Sequence, residues 1–89
     1  MSIEMYIPPA LQSQVNNVKM VAVEGATVGE CLTALIDRYP LLRPALLKGG
    51  KIQSGLSIFV NHENTYPQGL NKSVREGDRV YIMNILVGG

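Results

Sequence analysis

The residues of this chain best suited to chemistry are the last two, Gly88 and Gly89, which directly follow an apolar run over residues 80–87. Glycine has no Cβ, so the pair makes a thin tether that can carry a free α-carboxylate into a narrow active site. An α-carboxyl group has a pKa of about 3.5, so at neutral pH Gly89 is an anion that must be activated before a nucleophile can attack it. The sequence therefore predicts that the Gly89 carboxylate is the reactive group and that Gly88 keeps the tail narrow. The alternative is that both glycines are a frayed chain end.

The other side chains with reactive groups favour structural roles. Cys31 directly precedes Leu32 in a helical pattern, which predicts a small, partly buried core residue without an activated thiol. His62 has no second His or Cys at ligand spacing, so we expect no metal site and no bound cofactor. The carboxylates at Glu63 and within residues 76–78 fall in turn patterns, where they serve local hydrogen bonding.

Composition and charge exclude several classes of protein. The chain has 89 residues and a formal net charge of +1, with scattered cations, so it lacks the clustered basic face that nucleic-acid binding needs. A single cysteine cannot form an internal disulfide, which favours a reducing compartment. No signal peptide and no membrane-length apolar stretch is recognisable. We therefore expect one cytoplasmic domain that binds neither nucleic acid nor membrane.

The elements that must position the tail begin with two strands and a helix. Residues 3–7 alternate until Pro8, and residues 18–23 predict a second strand antiparallel to the first, with a loop over 10–17 between them. Thr27 and Glu30 have the spacing of a capping box, which predicts a helix from Val28 to about Tyr39. A short helical piece starting near Pro44 and a flexible loop over 48–51 follow.

The second half of the sequence predicts three further strands. Residues 56–60 form one strand, residues 61–64 a turn, and Thr65 begins a short returning strand. After a connection over 68–74 and a tight turn over 76–78, residues 79–87 form the last strand. Weak alternation in this strand predicts burial on both faces, as is typical of a central strand.

One main helix over a mixed sheet is the economical way to bury these elements. Pairing the first and last strands in parallel at the centre gives an α+β roll of the β-grasp type, with four to five strands and a short second helix. The predicted organisation is a β-grasp domain over residues 1–85 and a flexible tail over residues 86–89.

One face of the last strand can serve as a docking surface. If alternation holds, Phe59, Tyr81, Met83 and Ile85 share a face opposite Ile58, Val80 and Ile82. The first set forms an exposed apolar patch that binds partner enzymes, together with Leu86 and Val87 at the start of the tail. The alternative is that some of these residues pack in the core.

The chain resembles the ubiquitin-like sulfur carriers of the MoaD/ThiS type. This family includes the small subunit of molybdopterin synthase, the thiamine-pathway carrier and the carrier of one route to cysteine. The resemblance covers most of the chain and rests on motifs that occur in the family's order. These are residues 27–32 at the helix start, Phe59-Val60-Asn61 with Glu63, Gly69-Leu70, residues 76–82, and Gly88-Gly89. Many relatives have a proline shortly before the glycines, where this chain has residues 84–87.

The resemblance implies a carrier rather than an enzyme. An adenylating enzyme similar to ubiquitin-activating enzymes would join the Gly89 carboxylate to AMP, using ATP and Mg²⁺ bound by that partner. A sulfur donor would then leave Gly89 as a thiocarboxylate, which delivers sulfur to a second, biosynthetic enzyme.

Three alternatives remain open at this stage. The chain can be the small subunit of molybdopterin synthase, a ubiquitin-like modifier that forms isopeptide bonds, or a binding module whose glycines are incidental.

Overall fold

One helix packs on one face of a five-stranded mixed sheet. The structure is a computed structural model that describes residues 2–66 and 68–84. The strands and helices in chain order are β1 Ser2–Tyr6, β2 Met20–Glu24, α1 Val28–Arg38, α2 Arg43–Leu46, β3 Leu47–Lys48, β4 Lys51–Ile52, β5 Leu56–Val60, β6 Glu63–Asn64 and β7 Arg79–Asn84. Three short 3-10 helices lie at Pro9–Val15, Pro40–Leu42 and Gly69–Asn71.

The sheet has the β-grasp topology predicted from the sequence. Its strand order is β2-β1-β7-β5-β6, while β3 and β4 form a separate two-stranded ribbon. The central pair, β1 and β7, is parallel, with Glu4 opposite Arg79 and Tyr6 opposite Tyr81. On its other side β7 pairs antiparallel with β5. The last strand is therefore central, and it runs towards the C-terminal tail.

The capping box at Thr27 starts α1. The Glu30 backbone N–H donates to Thr27 Oγ1 at 3.1 Å, and the Ala26 N–H donates to Glu30 Oε1 at 2.8 Å. These bonds satisfy backbone groups that a helix start leaves without partners. The helix ends at Arg38, before Pro40, because a proline disfavours helical backbone in the residue before it. Pro40 then opens the next 3-10 helix.

The core lies between α1 and the covered face of the sheet. The helix contributes a stripe of buried residues, namely Val28, Cys31, Leu32, Leu35 and Ile36. From the central strands, Met5 and Val80 are fully buried and Ile58 is 1% exposed. Along these strands the buried residues alternate with side chains on the opposite face of the sheet. In the part of the chain that the structure describes, no helix covers that face.

One prediction about the first half of the chain was wrong in detail. Residues 10–17 were expected to form a loop, but Pro9–Val15 is a 3-10 helix that buries Val15 completely. Pro9 stands at the helix start, where its fixed φ fits, and Asn16 and Asn17 end the helix with left-handed φ values of 58° and 61°.

The hairpin after β5 is tighter than predicted. Residues 61–64 were expected to form the turn, yet β6 already begins at Glu63. Asn61 adopts a left-handed φ of 56°, which lets two residues reverse the chain. The predicted loop over residues 48–51 is likewise the tip of the β3–β4 ribbon.

The prediction that the last strand is buried on both faces was also wrong. Val80 and Ile82 are buried beneath α1, but Tyr81 on the opposite face is half-buried and Met83 is 49% exposed. The predicted part of this strand beyond Asn84, including Ile85, lies outside the described residues, as do Leu86, Val87, Gly88 and Gly89. The boundary at residue 85 between domain and tail stays a prediction.

Candidate partner-docking site

The sheet face opposite α1, called the open face below, carries a line of apolar side chains across four strands. Met20 pairs with Tyr6, Tyr6 with Tyr81, and Tyr81 with Phe59. Because directly opposed residues point to the same side of a sheet, these four side chains form one transverse row, called the aromatic row. Met83 lies on the same face two residues after Tyr81. It extends the apolar surface towards the end of β7.

The two tyrosines at the centre of the aromatic row are stacked. The ring centroids of Tyr6 and Tyr81 lie 4.8 Å apart, with an angle of 16° between the ring planes. The Tyr6 hydroxyl donates a hydrogen bond of 3.0 Å to Glu4 Oε1. Arg79 Nε lies 3.4 Å from the same carboxylate oxygen. The polar pair Glu4 and Arg79, two residues earlier on the same two strands, therefore holds the aromatic pair in a fixed arrangement.

The electrostatics of this network follow from these contacts. The hydrogen bond to Glu4 raises the pKa of Tyr6, and desolvation of the hydroxyl adds to the effect. The pKa of Arg79 is also raised, first by a hydrogen bond with the Tyr81 side chain and then by the nearby Tyr6 and Glu4. Tyr6 therefore stays neutral and Arg79 stays charged over the physiological range, so the network does not switch near neutral pH.

Beside the row lies a shallow depression of about 320 Å³, lined by Phe59, Asn61, His62, Tyr81 and Met83. Asn61 fixes its border. Its Oδ1 accepts a hydrogen bond from the Arg79 N–H at 3.1 Å, and its Nδ2 donates to Asp78 Oδ1 at 3.1 Å. These bonds tie the β5–β6 turn to the start of β7. The depression therefore has a rigid polar rim on one side and an apolar floor.

The structure brings together the three predicted docking residues that it describes. Phe59 and Tyr81 are directly opposed, and Met83 follows on the same face. Their role in partner binding stays a prediction, as does that of Ile85, Leu86 and Val87 and the reactivity of Gly88 and Gly89. Tyr6 and Met20 are not in the predicted docking set. Both alternate with buried neighbours along their strands, but only the strand register brings them into the aromatic row.

Cys31 is a core residue, as predicted, but it is fully rather than partly buried. A Cβ built on Gly25 would lie 2.9 Å from Cys31 Sγ, so the thiol packs closely against the Gly25 backbone. Burial, and secondarily the charge of Glu30, raises the pKa of this thiol to about 11. The Cys31 thiol is therefore protonated and inert at neutral pH.

Other site types find no support in the described part of the chain. His62 is exposed, and residues 2–66 and 68–84 contain no group of three or more His, Cys, Asp or Glu that could hold a metal ion. Among these same residues no helix is long and apolar enough to cross a membrane.

Comparisons with known proteins agree with this geometry. The model of the ThiS family matches residues 7–89. Among solved structures, the chain is similar to CysO of Amycolatopsis orientalis, crystallised as a BexX/CysO complex. The identity is 28% and the TM-score 0.91, over 98% of this chain and 99% of that one.

Two further structures extend the likeness. Mycobacterium tuberculosis CysO is 26% identical with a TM-score of 0.88, over 94% of this chain and 99% of the other. Haloferax volcanii SAMP1 is 25% identical with a TM-score of 0.82, over the whole of both chains. A sequence comparison with curated proteins gives no significant match.

Proposed function

The chain belongs to the ThiS family of ubiquitin-like sulfur carriers, and on that premise we propose that it carries sulfur as a thiocarboxylate on Gly89. The observation that carries the proposal is the family match, which runs through the Gly88-Gly89 tail. Family members are small carrier proteins rather than enzymes. The chain thus serves as a co-substrate whose fold delivers its tail.

Activation starts with the Gly89 carboxylate. A carboxylate oxygen attacks the α-phosphorus of ATP on the partner enzyme, the bond to the bridging oxygen breaks, and pyrophosphate leaves. The acyl-adenylate that forms is an electrophile, because AMP is a good leaving group. Mg²⁺ and cationic groups of the partner stabilise the phosphate charge. The carrier contributes no acid, base or metal to this step.

Sulfur transfer follows at the same carbonyl. A hydrosulfide donor attacks the carbonyl carbon, the C–O bond to AMP breaks with its electron pair, and Gly89 becomes a thiocarboxylate. If the donor is an enzyme persulfide, an acyl disulfide forms first, and a thiol must then reduce its S–S bond, ending as a disulfide. The thiocarboxylate sulfur is the nucleophile that a biosynthetic acceptor enzyme receives.

The partners in this scheme are proteins. The similar CysO of Amycolatopsis orientalis was crystallised in a complex with BexX. In this chain the apolar part of the open face lies beside the end of β7, from which the tail continues. We therefore place the contact with the adenylating enzyme and with the sulfur acceptor on Phe59, Tyr81, Met83 and the tail.

The test is intact-mass analysis of the chain after incubation with the adenylating enzyme of its own genome, ATP, Mg²⁺ and sulfide. We expect the mass gain of one oxygen replaced by sulfur. Because Cys31 is the single cysteine and is buried, native iodoacetamide should label only the new sulfur. That label should persist in Cys31→Ala.

The control is the same chain with one uncleavable residue added after Gly89, which should gain neither sulfur nor label. The enzyme is first shown to be active by its adenylation of another carrier. If the unmodified chain then gained no mass with the same enzyme, the proposal would be refuted.

A second candidate function is protein modification, which the likeness to SAMP1, a small archaeal modifier protein, favours. The same acyl-adenylate would then acylate a lysine Nζ, and AMP would leave. Heavier species on denaturing blots of the host, absent when Gly88 and Gly89 are deleted, would support this role. The two CysO structures have higher TM-scores, and for that reason we place the carrier role first.

A further inference from the structure

We propose that Tyr6, held by Glu4, is a positioning residue that fixes Tyr81 for docking of the adenylating enzyme. The inference rests on the proposed function and adds to it a residue outside the predicted docking set. It starts from the neighbouring strands β1 and β7, which place the Tyr6 and Tyr81 rings in a stack at 4.8 Å.

The stacked pair is held by contacts on β1 and on the β5 side of β7. On β1 the Tyr6 hydroxyl donates to Glu4 Oε1, whose carboxylate also pairs with Arg79 on β7. On β7 the Tyr81 ring lies between Tyr6 and Phe59 in the aromatic row. A tyrosine ring with neighbours on both sides and a fixed hydroxyl on one neighbour has little rotamer freedom left to lose on binding.

The length of the tail determines how close an enzyme that holds Gly89 must come to this surface. Five residues, 85–89, follow Asn84 in the sequence. Fully extended, they span about 17 Å. Tyr81 lies three residues before Asn84, which is about 10 Å along a strand. An enzyme that holds Gly89 at its reactive centre must therefore lie against the end of the sheet, and there the open face offers Tyr81 and Met83.

The chemistry of the partner surface follows from the charges around the row. Glu4 and Arg79 neutralise each other, and their side chains are 41% and 58% exposed. The row itself is uncharged. The matching enzyme surface is therefore an apolar patch without net charge, bordered by hydrogen-bonding groups where it meets the ion pair. Leu41, another exposed apolar side chain, lies in the 3-10 helix Pro40–Leu42, which packs against α1 on the covered side of the sheet.

The experiment measures steady-state adenylation by ATP–pyrophosphate exchange as a function of carrier concentration. Tyr6→Leu removes the stacking ring and should raise the KM for the carrier about 10-fold, with kcat unchanged, because only the ordering of the docking surface is lost. Tyr6→Phe keeps the ring and should raise KM about 2-fold at most. Leu41→Ala is the control, since Leu41 is 71% exposed in the 3-10 helix Pro40–Leu42, which contacts α1, and its KM should equal that of the unmodified chain.

A double-mutant cycle tests whether Tyr6 acts through Tyr81. In a Tyr81→Leu background the further change Tyr6→Leu should alter KM by less than half of its effect alone. Thermal unfolding of each variant by circular dichroism establishes that the compared chains are folded at the assay temperature.

Four outcomes overturn the inference. An unchanged KM in folded Tyr6→Leu does so while leaving the proposed function standing, as do equal effects of Tyr6→Leu with and without Tyr81. If Tyr6→Leu does not fold, the Tyr6→Phe and Glu4→Gln variants decide. Glu4→Gln keeps an acceptor for the Tyr6 hydroxyl, so an effect larger than that of Tyr6→Phe contradicts the proposed anchor. Absence of exchange with the unmodified chain overturns the proposed function and this inference with it.

Discussion

The buried thiol of Cys31 lowers the stability of this domain at alkaline pH. The pKa of the thiol is raised from its ordinary value of 9.0 to about 11, mainly by burial. Below pH 9 both the folded and the unfolded chain keep the proton. Between pH 9 and 11 the unfolded chain releases it while the folded chain retains it, so the free energy of unfolding falls as the pH rises. Replacing Cys31 with Ala removes this contribution.

The size of the effect follows from the shift. One pKa unit corresponds to about 1.4 kcal/mol, so the loss reaches about 1.4 kcal/mol at about pH 10 and close to 3 kcal/mol well above pH 11. The assay is urea unfolding of the unmodified chain and of Cys31→Ala at a series of pH values from neutral to about pH 10. The alanine variant is expected to start lower at neutral pH, because a small cavity remains, and to lose less stability as the pH rises.

The difference between the two stability curves isolates Cys31, because every other ionisable group is common to both chains. The reasoning is refuted if the two curves stay parallel from neutral pH to about pH 10. Parallel curves would mean that the thiol ionises in the folded protein as readily as in the unfolded chain. The same ionisation would make Cys31 reactive towards iodoacetamide under native conditions.

Three further predictions concern the cap, the tail and the open face. Thr27→Ala should lower the free energy of unfolding by about 1 kcal/mol because the cap is lost, while Thr33→Ala, at an exposed position in the same helix, should change it by only a few tenths of a kcal/mol. Equal melting temperatures of Thr27→Ala and the original chain would contradict the cap. Gly88→Ala should unfold like the original chain yet adenylate at least about 10-fold more slowly, because a Cβ obstructs a narrow channel; a normal rate of ATP–pyrophosphate exchange would count against that channel. Phe59→Glu should weaken binding of the adenylating enzyme at least about 10-fold in calorimetric titrations, while Leu41→Glu, at a side chain that is 71% exposed elsewhere, should not; unfolding of Phe59→Glu would assign Phe59 to the core.

Features governed by near neighbours in the chain were predictable from the sequence. Thr27 and Glu30 are three residues apart, and their spacing alone located the start of α1. Pro40 located its end. The strand over residues 56–60 was predicted with its observed bounds, since apolar β-formers stand between turn residues. The parallel pairing of the first and last strands was predicted too, although it joins distant residues, because pairing these two strands at the centre of the sheet buries both.

Features governed by distant residues were not predictable in the same way. Tyr6 and Met20 enter the aromatic row through the register of β1 against its two neighbours. The alternation along β1 determines which face Tyr6 occupies, but a slip of two residues would keep that face and change the neighbours of Tyr6, and no local pattern excludes such a slip. The 3-10 helix at Pro9–Val15 depends on the burial of Val15 beneath other elements, which a polar local sequence does not reveal.

The central position of β7 has a mechanical consequence for a protein handled by its end. A pull on the tail acts along the axis of β7, and this strand is bonded to β1 on one side and to β5 on the other. The ladder hydrogen bonds run across that axis, so the load is shared as shear by both ladders instead of opening one bond after another. If the proposed adenylating enzyme draws the terminus into its active site, this arrangement keeps the pull from separating the strands one bond at a time.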